Sequence, residues 1–202
     1  MFKIVETFYS IQGEGTFAGT PALFIRFFGC NLKCDFGNGF VCDDTAHANK
    51  DLVRQDSIKQ LVDLAQATPT KHIVLTGGEV SMQDVNDLIT ELKVIGKYIQ
   101  VETNGFKYDN IKTANFITYS PKMQFDSVAP NMKAGFHELK LLAGVNQPVN
   151  IEQWRSVKTK YVQPIGNENS WDDANVKYCI NFVKNNPEWK LSLQTHKAIG
   201  VR

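Results

Sequence analysis

Short apolar runs alternate with polar, glycine-rich phrases along most of this chain, a pattern that predicts strands followed by helices. Two strand-like runs come first, Lys3–Tyr9 and Ala22–Phe28, joined by a turn containing Gly13, Gly15 and Gly19. Residues 29–49 break the pattern with a loop that has its own Gly37-Asn38-Gly39 turn signal. From residue 56 a strand–helix alternation begins. Asp56 or Ser57 can cap a helix in which Ile58, Leu61, Val62 and Ala65 share one buried face. The run His72–Leu75 predicts a strand that ends in Thr76-Gly77-Gly78-Glu79. Val85, Leu88, Ile89 and Leu92 mark a second helix, closed by Gly96 as a left-handed cap. Strands are expected at Tyr98–Val101, Phe116–Tyr119, Glu138–Leu142, Lys160–Gln163 and Leu191–Gln194. A helix from about Ser170 to Lys184 is expected to be capped by Ser170, with Asp173 three residues on. Repeated βα units predict a parallel sheet, flat or curled into a partial barrel.

Composition adds boundaries. With 202 residues the chain is read as a single domain over 1–202, with enough length for a sizeable core. A formal net charge of +1 gives no electrostatic footprint for nucleic acid or an anionic membrane. No run of about twenty apolar residues predicts a membrane span, and the first residues lack the apolar centre of a signal peptide. The expected compartment is therefore cytoplasmic, where clustered cysteines are metal ligands or redox groups rather than disulfides.

The polar phrases themselves follow predicted strands: Thr76–Glu79, Glu102–Gly105, Ser120-Pro121-Lys122, Gln163-Pro164 and Gln194-Thr195-His196. In parallel sheets and barrels the carboxyl ends of strands carry the ligand site, so these phrases predict one rim. Cys30, Cys34 and Cys42, spaced by three and then seven residues, supply three thiolates. Three thiolates hold three irons of a four-iron cluster and leave the fourth open to a substrate. Read alone, they could equally form a zinc knuckle completed by His47, or be buried free thiols. Cys179 falls with Val176, Ile180 and Val183 on the inner face of its helix and is read as core. His72 and His137 belong to no motif and are read as structural.

Taken together, these phrases resemble the radical S-adenosylmethionine enzymes and, among them, the 7-carboxy-7-deazaguanine synthase family. The likeness runs through Tyr9-Ser10-Ile11-Gln12-Gly13-Glu14-Gly15, Arg26, the cysteine loop at about 29–49 and the rim phrases, to Leu193-Gln194-Thr195-His196-Lys197. Two departures stand out. The wider superfamily spaces its cysteines by three and two residues, and the family's Gly-Gly-Glu-Pro ends here in Val80.

The resemblance implies an α/β fold, a shortened partial (β/α) barrel, and a lyase that converts 6-carboxy-5,6,7,8-tetrahydropterin to 7-carboxy-7-deazaguanine with loss of ammonia. It implies a 4Fe-4S cluster on Cys30, Cys34 and Cys42, whose open iron takes S-adenosylmethionine. Val41, Cys42, Asp43, Gly78, Ser120, Pro121, Lys122, Gln163, Pro164, Ile165 and Gly166 would contact that cofactor. A magnesium ion is expected on Thr45, with Asp44 as competitor because hard anionic oxygens suit the ion. The substrate would meet Ile11, Gln12, Gly13, Glu14, Arg26, Thr76, His196 and the terminal carboxylate of Arg202. Arg26 suits a planar carboxylate, the alternative being an internal salt bridge. Glu14 could face the guanidine-like ring edge. The expected partners are a flavodoxin- or ferredoxin-type electron donor and a second copy of the chain. The nearest rival enzyme is a glycyl-radical activase, and the rival of another class is a non-catalytic zinc module.

Overall fold

Strand period explains the sheet at the centre of the molecule. In the computed structural model, which describes residues 1–37, 39–42, 46–122, 135–167 and 170–201, β1 (Phe2–Ile11) and β2 (Pro21–Phe27) form an antiparallel hairpin. The cysteine loop carries a small ribbon, β3 (Asp35–Gly37) and β4 (Phe40–Val41). β5 (Arg54–Asp56) lies antiparallel to β1 at the sheet edge. The parallel part then follows: β6 (His72–Gly77), β7 (Tyr98–Thr103), β8 (Phe116–Tyr119), β9 (Glu138–Ala143), β10 (Lys160–Pro164) and β11 (Lys190–Leu191). Among the described residues nine strands make one sheet in the order β11-β10-β9-β8-β7-β6-β2-β1-β5. This is the mixed α/β architecture with a parallel sheet that the alternation predicted.

Helices cover one face. α1 (Ile58–Ala67) starts at Ser57, whose side chain takes the Gln60 N–H while the Gln60 side chain returns to the Ser57 N–H, a complete capping box. α2 (Asn86–Val94) packs on α1 and ends as expected. Gly96 has φ +78°, its N–H reaches the Lys93 carbonyl, and the Lys97 N–H reaches that of Leu92, a Schellman closure. α3 (Asp173–Asn185) packs on β9, β10 and β11. Its cap is Asp172, not Ser170, because the Asp172 carboxylate is the group that reaches the Asn175 N–H. On α3 Cys179 is fully buried and donates to the Ala143 carbonyl, whereas Ile180 is exposed and does not share that inner face.

Successive strand residues point to opposite faces. Ile25, Phe27, Ile73, Leu75, Ile99, Val101, Ile117, Leu139 and Leu141 face the helices and form the apolar core. The alternate residues face inward and are largely polar yet buried: His72, Gln100, Thr118, Glu138, Lys140 and Gln163. Phe17, from the short helical turn Gly15–Phe17, closes the bottom of this inner face. Its ring packs at 4.6 Å from His72, 5.7 Å from Tyr98 and 4.8 Å from Phe116. His72 bonds to Gln100 at 2.8 Å, and Nδ1 of His137 accepts the Ile117 N–H at 3.1 Å, so both are structural as read. The last expected strand differs. β11 stops at Leu191, and Gln194 begins α4 (Thr195–Ile199), because Thr195 donates both its N–H and its hydroxyl to the Gly13 carbonyl. No helix among the described residues is long and apolar enough to cross a membrane.

Candidate active site at the carboxyl rim of the sheet

Above the Phe17 plug the inner face opens into a cavity of about 800 Å³, large for a small-molecule site and roomy enough for a cofactor beside a substrate. Its floor is ionic. Lys140 of β9 donates to Glu14, from the β1–β2 turn, and at 2.9 Å to Glu102 of β7. Glu102 also accepts from Gln100 at 2.9 Å and from Gln12 at 3.4 Å. Burial alone would raise the Glu14 carboxyl, but the Lys140 charge and hydrogen bond, helped by His196 and Gln194, bring it down to about 2. Glu102 is shifted up by burial, against the pull of Lys140 and with the repulsion of Glu14. Burial disfavours the Lys140 charge, yet the two carboxylates more than offset it and raise its pKa.

Parallel pairing builds the wall. Arg26 of β2 sits opposite Thr76 of β6, and both face the cavity. The Arg26 guanidinium holds Glu6 at 2.9 Å, so the internal salt bridge considered for it exists at the cavity wall. Beside it Phe8 and Phe24 stack at 4.9 Å and give the wall an apolar panel.

The cysteine loop forms the roof. Cys30, Cys34 and Cys42 form no disulfide among the described residues and line this one cavity, together with Val41 and His47. Burial shifts the Cys30 thiol up, while the Leu32 N–H that it accepts at 3.4 Å pulls the other way. Among the described residues no three His, Cys, Asp or Glu side chains converge as tightly as around a single ion. The loop is tied to the rim through its backbone, with the Gly29 N–H on the His47 carbonyl at 3.0 Å and the Glu79 N–H on the Gly29 carbonyl at 2.8 Å. Gly78 has no freedom to be larger: a Cβ there would run into the Gly29 carbonyl oxygen. Glu79, fully buried, accepts from Ser81, from the Thr103 hydroxyl at 2.6 Å and from the Asn104 N–H at 2.6 Å. Asn104 in turn donates to Asn31 at 3.0 Å and contacts the Cys30 sulfur at 3.9 Å. The Gly-Gly-Glu phrase thus fixes the first cysteine from below.

The remaining expected residues gather in the same place. Ile11, Gln12, Gly13, Ser120, Lys122, Gln163, Pro164, Ile165, Gly166 and His196 all line the cavity. Lys122 curls back onto the Ser120 hydroxyl at 2.9 Å. Pro121 is buried and does not line it. Asp43, Asp44, Thr45 and Arg202 lie outside the described residues. Reading the sequence missed Lys140 and Glu6 altogether, and held Glu102 only as part of a lining phrase. A lysine and two glutamates on inward positions of otherwise apolar strands were the available signal, as Arg26 was.

Comparison with known proteins accords with this arrangement. Residues 24–158 match the family model for the radical SAM superfamily. The 7-carboxy-7-deazaguanine synthase of Bacteroides thetaiotaomicron is 36% identical over 204 residues, covering 100% of both chains. This chain belongs to the 7-carboxy-7-deazaguanine synthase family. Another member of the family, from Haemophilus influenzae, is 33% identical over 99% of this chain and 94% of its own. The crystal structure of QueE from Escherichia coli superposes with a TM-score of 0.78 at 25% identity, over 95% of this chain and 93% of that one. Membership of the radical SAM superfamily implies a 4Fe-4S cluster and S-adenosylmethionine. The residues present fit both groups. Thiolates on different irons of a cluster stand apart rather than converging on one point, and three of them face this cavity. Gly78, Ser120, Lys122 and Gln163–Gly166 line the same cavity as the cysteines, and its size leaves room for S-adenosylmethionine beside them.

Proposed function

We propose that this chain converts 6-carboxy-5,6,7,8-tetrahydropterin to 7-carboxy-7-deazaguanine with loss of ammonia, in the 7-deazapurine biosynthesis that leads to queuosine-type nucleosides. The observation that carries this reading is the cavity's two-ended chemistry. Soft sulfur donors line its roof, and a fixed cation and fixed anions line its wall and floor. When bound, the cluster and S-adenosylmethionine supply the one-electron chemistry that begins the reaction by removing hydrogen from substrate C6.

Cys30, Cys34 and Cys42 are the cluster ligands in this reading. S-adenosylmethionine meets Val41, Gly78, Ser120, Lys122 and Gln163–Gly166, which share the cavity, and Asp43 belongs to the same set of contacts. Arg26 grips the substrate carboxylate, its guanidinium already oriented by Glu6. Glu14 accepts from the guanidine-like edge of the pterin, next to Gln12, Gly13 and the Ile11 backbone. His196, Thr76 and the terminal carboxylate of Arg202 complete the substrate contacts. The Phe8–Phe24 panel excludes water from the reacting ring. A magnesium ion on Thr45 or Asp44, an electron donor of flavodoxin or ferredoxin type and a homodimer belong to the same proposal.

Anaerobic incubation of the reconstituted protein with reductant, S-adenosylmethionine, magnesium and 6-carboxytetrahydropterin, followed by mass spectrometry, tests the reading. The expected product is 7-carboxy-7-deazaguanine, with 5′-deoxyadenosine well below one per turnover because the cofactor is reused. A chain that cleaves S-adenosylmethionine but leaves the pterin unchanged would overturn the proposal.

A further inference from the structure

Lys140 is the cation of the cavity floor, and no role above uses it. It stands mid-strand in β9 on the inward face, only 5% exposed. One ammonium proton goes to Glu14 and another to Glu102, residues 126 and 38 positions away in sequence. The other titratable groups around this floor are already engaged. Glu138, two residues earlier on the same strand, accepts the Thr16 N–H at 2.7 Å and the Thr118 hydroxyl at 3.1 Å. His196 of α4 faces Glu14 from the rim side and favours its charge.

Two buried carboxylates drawn to one point cannot both stay ionised without a cation between them, since one would take a proton. A protonated carboxyl is a donor on one oxygen and a poorer partner for an incoming N–H. We propose that Lys140 is a positioning residue that holds Glu14 as an ionised, aimed acceptor for the N–H edge of a 2-aminopyrimidine ring, with Glu102 as its counter-anchor. This rests on the substrate reading above and adds the residue on which recognition of the guanine-like edge depends. The low Glu14 pKa, near 2, agrees with the geometry. Glu102 is restrained from three sides, by Gln12, Gln100 and Lys140, so the ammonium cannot follow Glu14 if that loop moves. The lysine therefore also fixes where Glu14 sits.

The test uses the reconstituted full chain with S-adenosylmethionine, and 7-carboxy-7-deazaguanine as the probe, titrated calorimetrically at pH 8.5 and pH 5.5. In Lys140→Met the ratio of variant to parent Kd should grow about tenfold between the two pH values, as a shared proton enters the carboxylate pair. The comparison is repeated in a His196→Gln background, so that the charge of His196, which faces Glu14, does not contribute to the ratio. Lys140→Met/Glu102→Gln removes the cation and one anion together and should give a smaller growth of the ratio than Lys140→Met, because burial still raises Glu14 but the repulsion of Glu102 is gone. Lys140→Arg keeps the charge, serves if Lys140→Met does not fold, and should keep the parent's pH response. A Lys140→Met penalty equal at both pH values, a double variant whose growth of the ratio matches that of Lys140→Met, or a Lys140→Arg chain that gains the pH response would overturn the proposal. A parent that fails to bind the deazaguanine at either pH would overturn the substrate reading itself, whereas the other failures touch Lys140 alone.

Discussion

Gly13 is the position where the two ends of the chain meet, and replacing it with alanine should cripple substrate binding while sparing the fold. A Cβ at Gly13 would land on Nδ1 of His196, 2.9 Å from its Cγ and 2.9 Å from its backbone nitrogen. Ordinary carbon contacts sit at about 3.5–4.0 Å, so His196 must retreat by roughly 1 Å or more. The alternative is to undock α4, which is held at this point by the Thr195 N–H at 3.1 Å and hydroxyl at 3.0 Å on the Gly13 carbonyl. Two such bonds contribute about 1–3 kcal/mol net, comparable to the cost of overpacking. α4 is short and has no fully buried residue, so its release caps the penalty locally. The expected shift in melting temperature is therefore a few degrees, about 2–4 °C per kcal/mol at this size. Displacing a substrate contact by an ångström should lower kcat/KM by about 100-fold, mostly through KM. Steady-state turnover, with S-adenosylmethionine binding measured separately, reads this out. His196→Ala should reduce kcat/KM comparably, and the double variant should be no worse than either single one, because both act on one contact. Additive losses, or a Gly13→Ala chain with unchanged KM, would refute the reasoning.

Three further outcomes are expected. Cys30→Ala, Cys34→Ala or Cys42→Ala should each strip most iron from the anaerobically reconstituted protein, whereas Cys179→Ala should keep it and lose only about 1 kcal/mol of stability; iron retention in a roof variant together with loss in Cys179→Ala would reverse the ligand assignment. Arg26→Lys should weaken substrate binding by roughly ten- to hundred-fold, since lysine keeps the charge but loses the forked donor, and calorimetry that finds substrate and cofactor affinity equally affected would count against Arg26 as the carboxylate clamp. Burial lowers the His72 pKa, with the Gln100 hydrogen bond pulling the other way. The folded state thus binds fewer protons than the unfolded chain, and stability should fall as pH drops below about 6.5. Urea midpoints at pH 7.5 and 5.5 should differ more in the parent than in His72→Gln, and equal differences would place the acid sensitivity elsewhere.

Much of this molecule could be read from local pattern. The apolar runs became the parallel strands because β-rich segments bury both faces of such a sheet. Ser57 with Gln60 set one helix start, and Gly96 set one helix end, since caps are local chemistry. The cysteine loop and the rim phrases were legible for the same reason, as strand ends carry sites wherever parallel strands are. Local pattern misplaced the cap of α3, where two adjacent aspartates and a serine compete and only backbone geometry chooses Asp172. It extended β11 into Gln194, because the pull of the Gly13 carbonyl on Thr195 comes from 182 residues away. It also could not say what the inward faces of β7 and β9 would meet. A strand's period of two places Glu102 and Lys140 on one side of the sheet. Whether that side faces water, apolar core or a buried ionic floor depends on the curl of the sheet and on Phe17 sealing the bottom. Those are contacts between distant segments. A charge costs little when solvated and much when buried unpaired, so Lys140 became part of a site only when folding removed water and brought Glu14 and Glu102 to it.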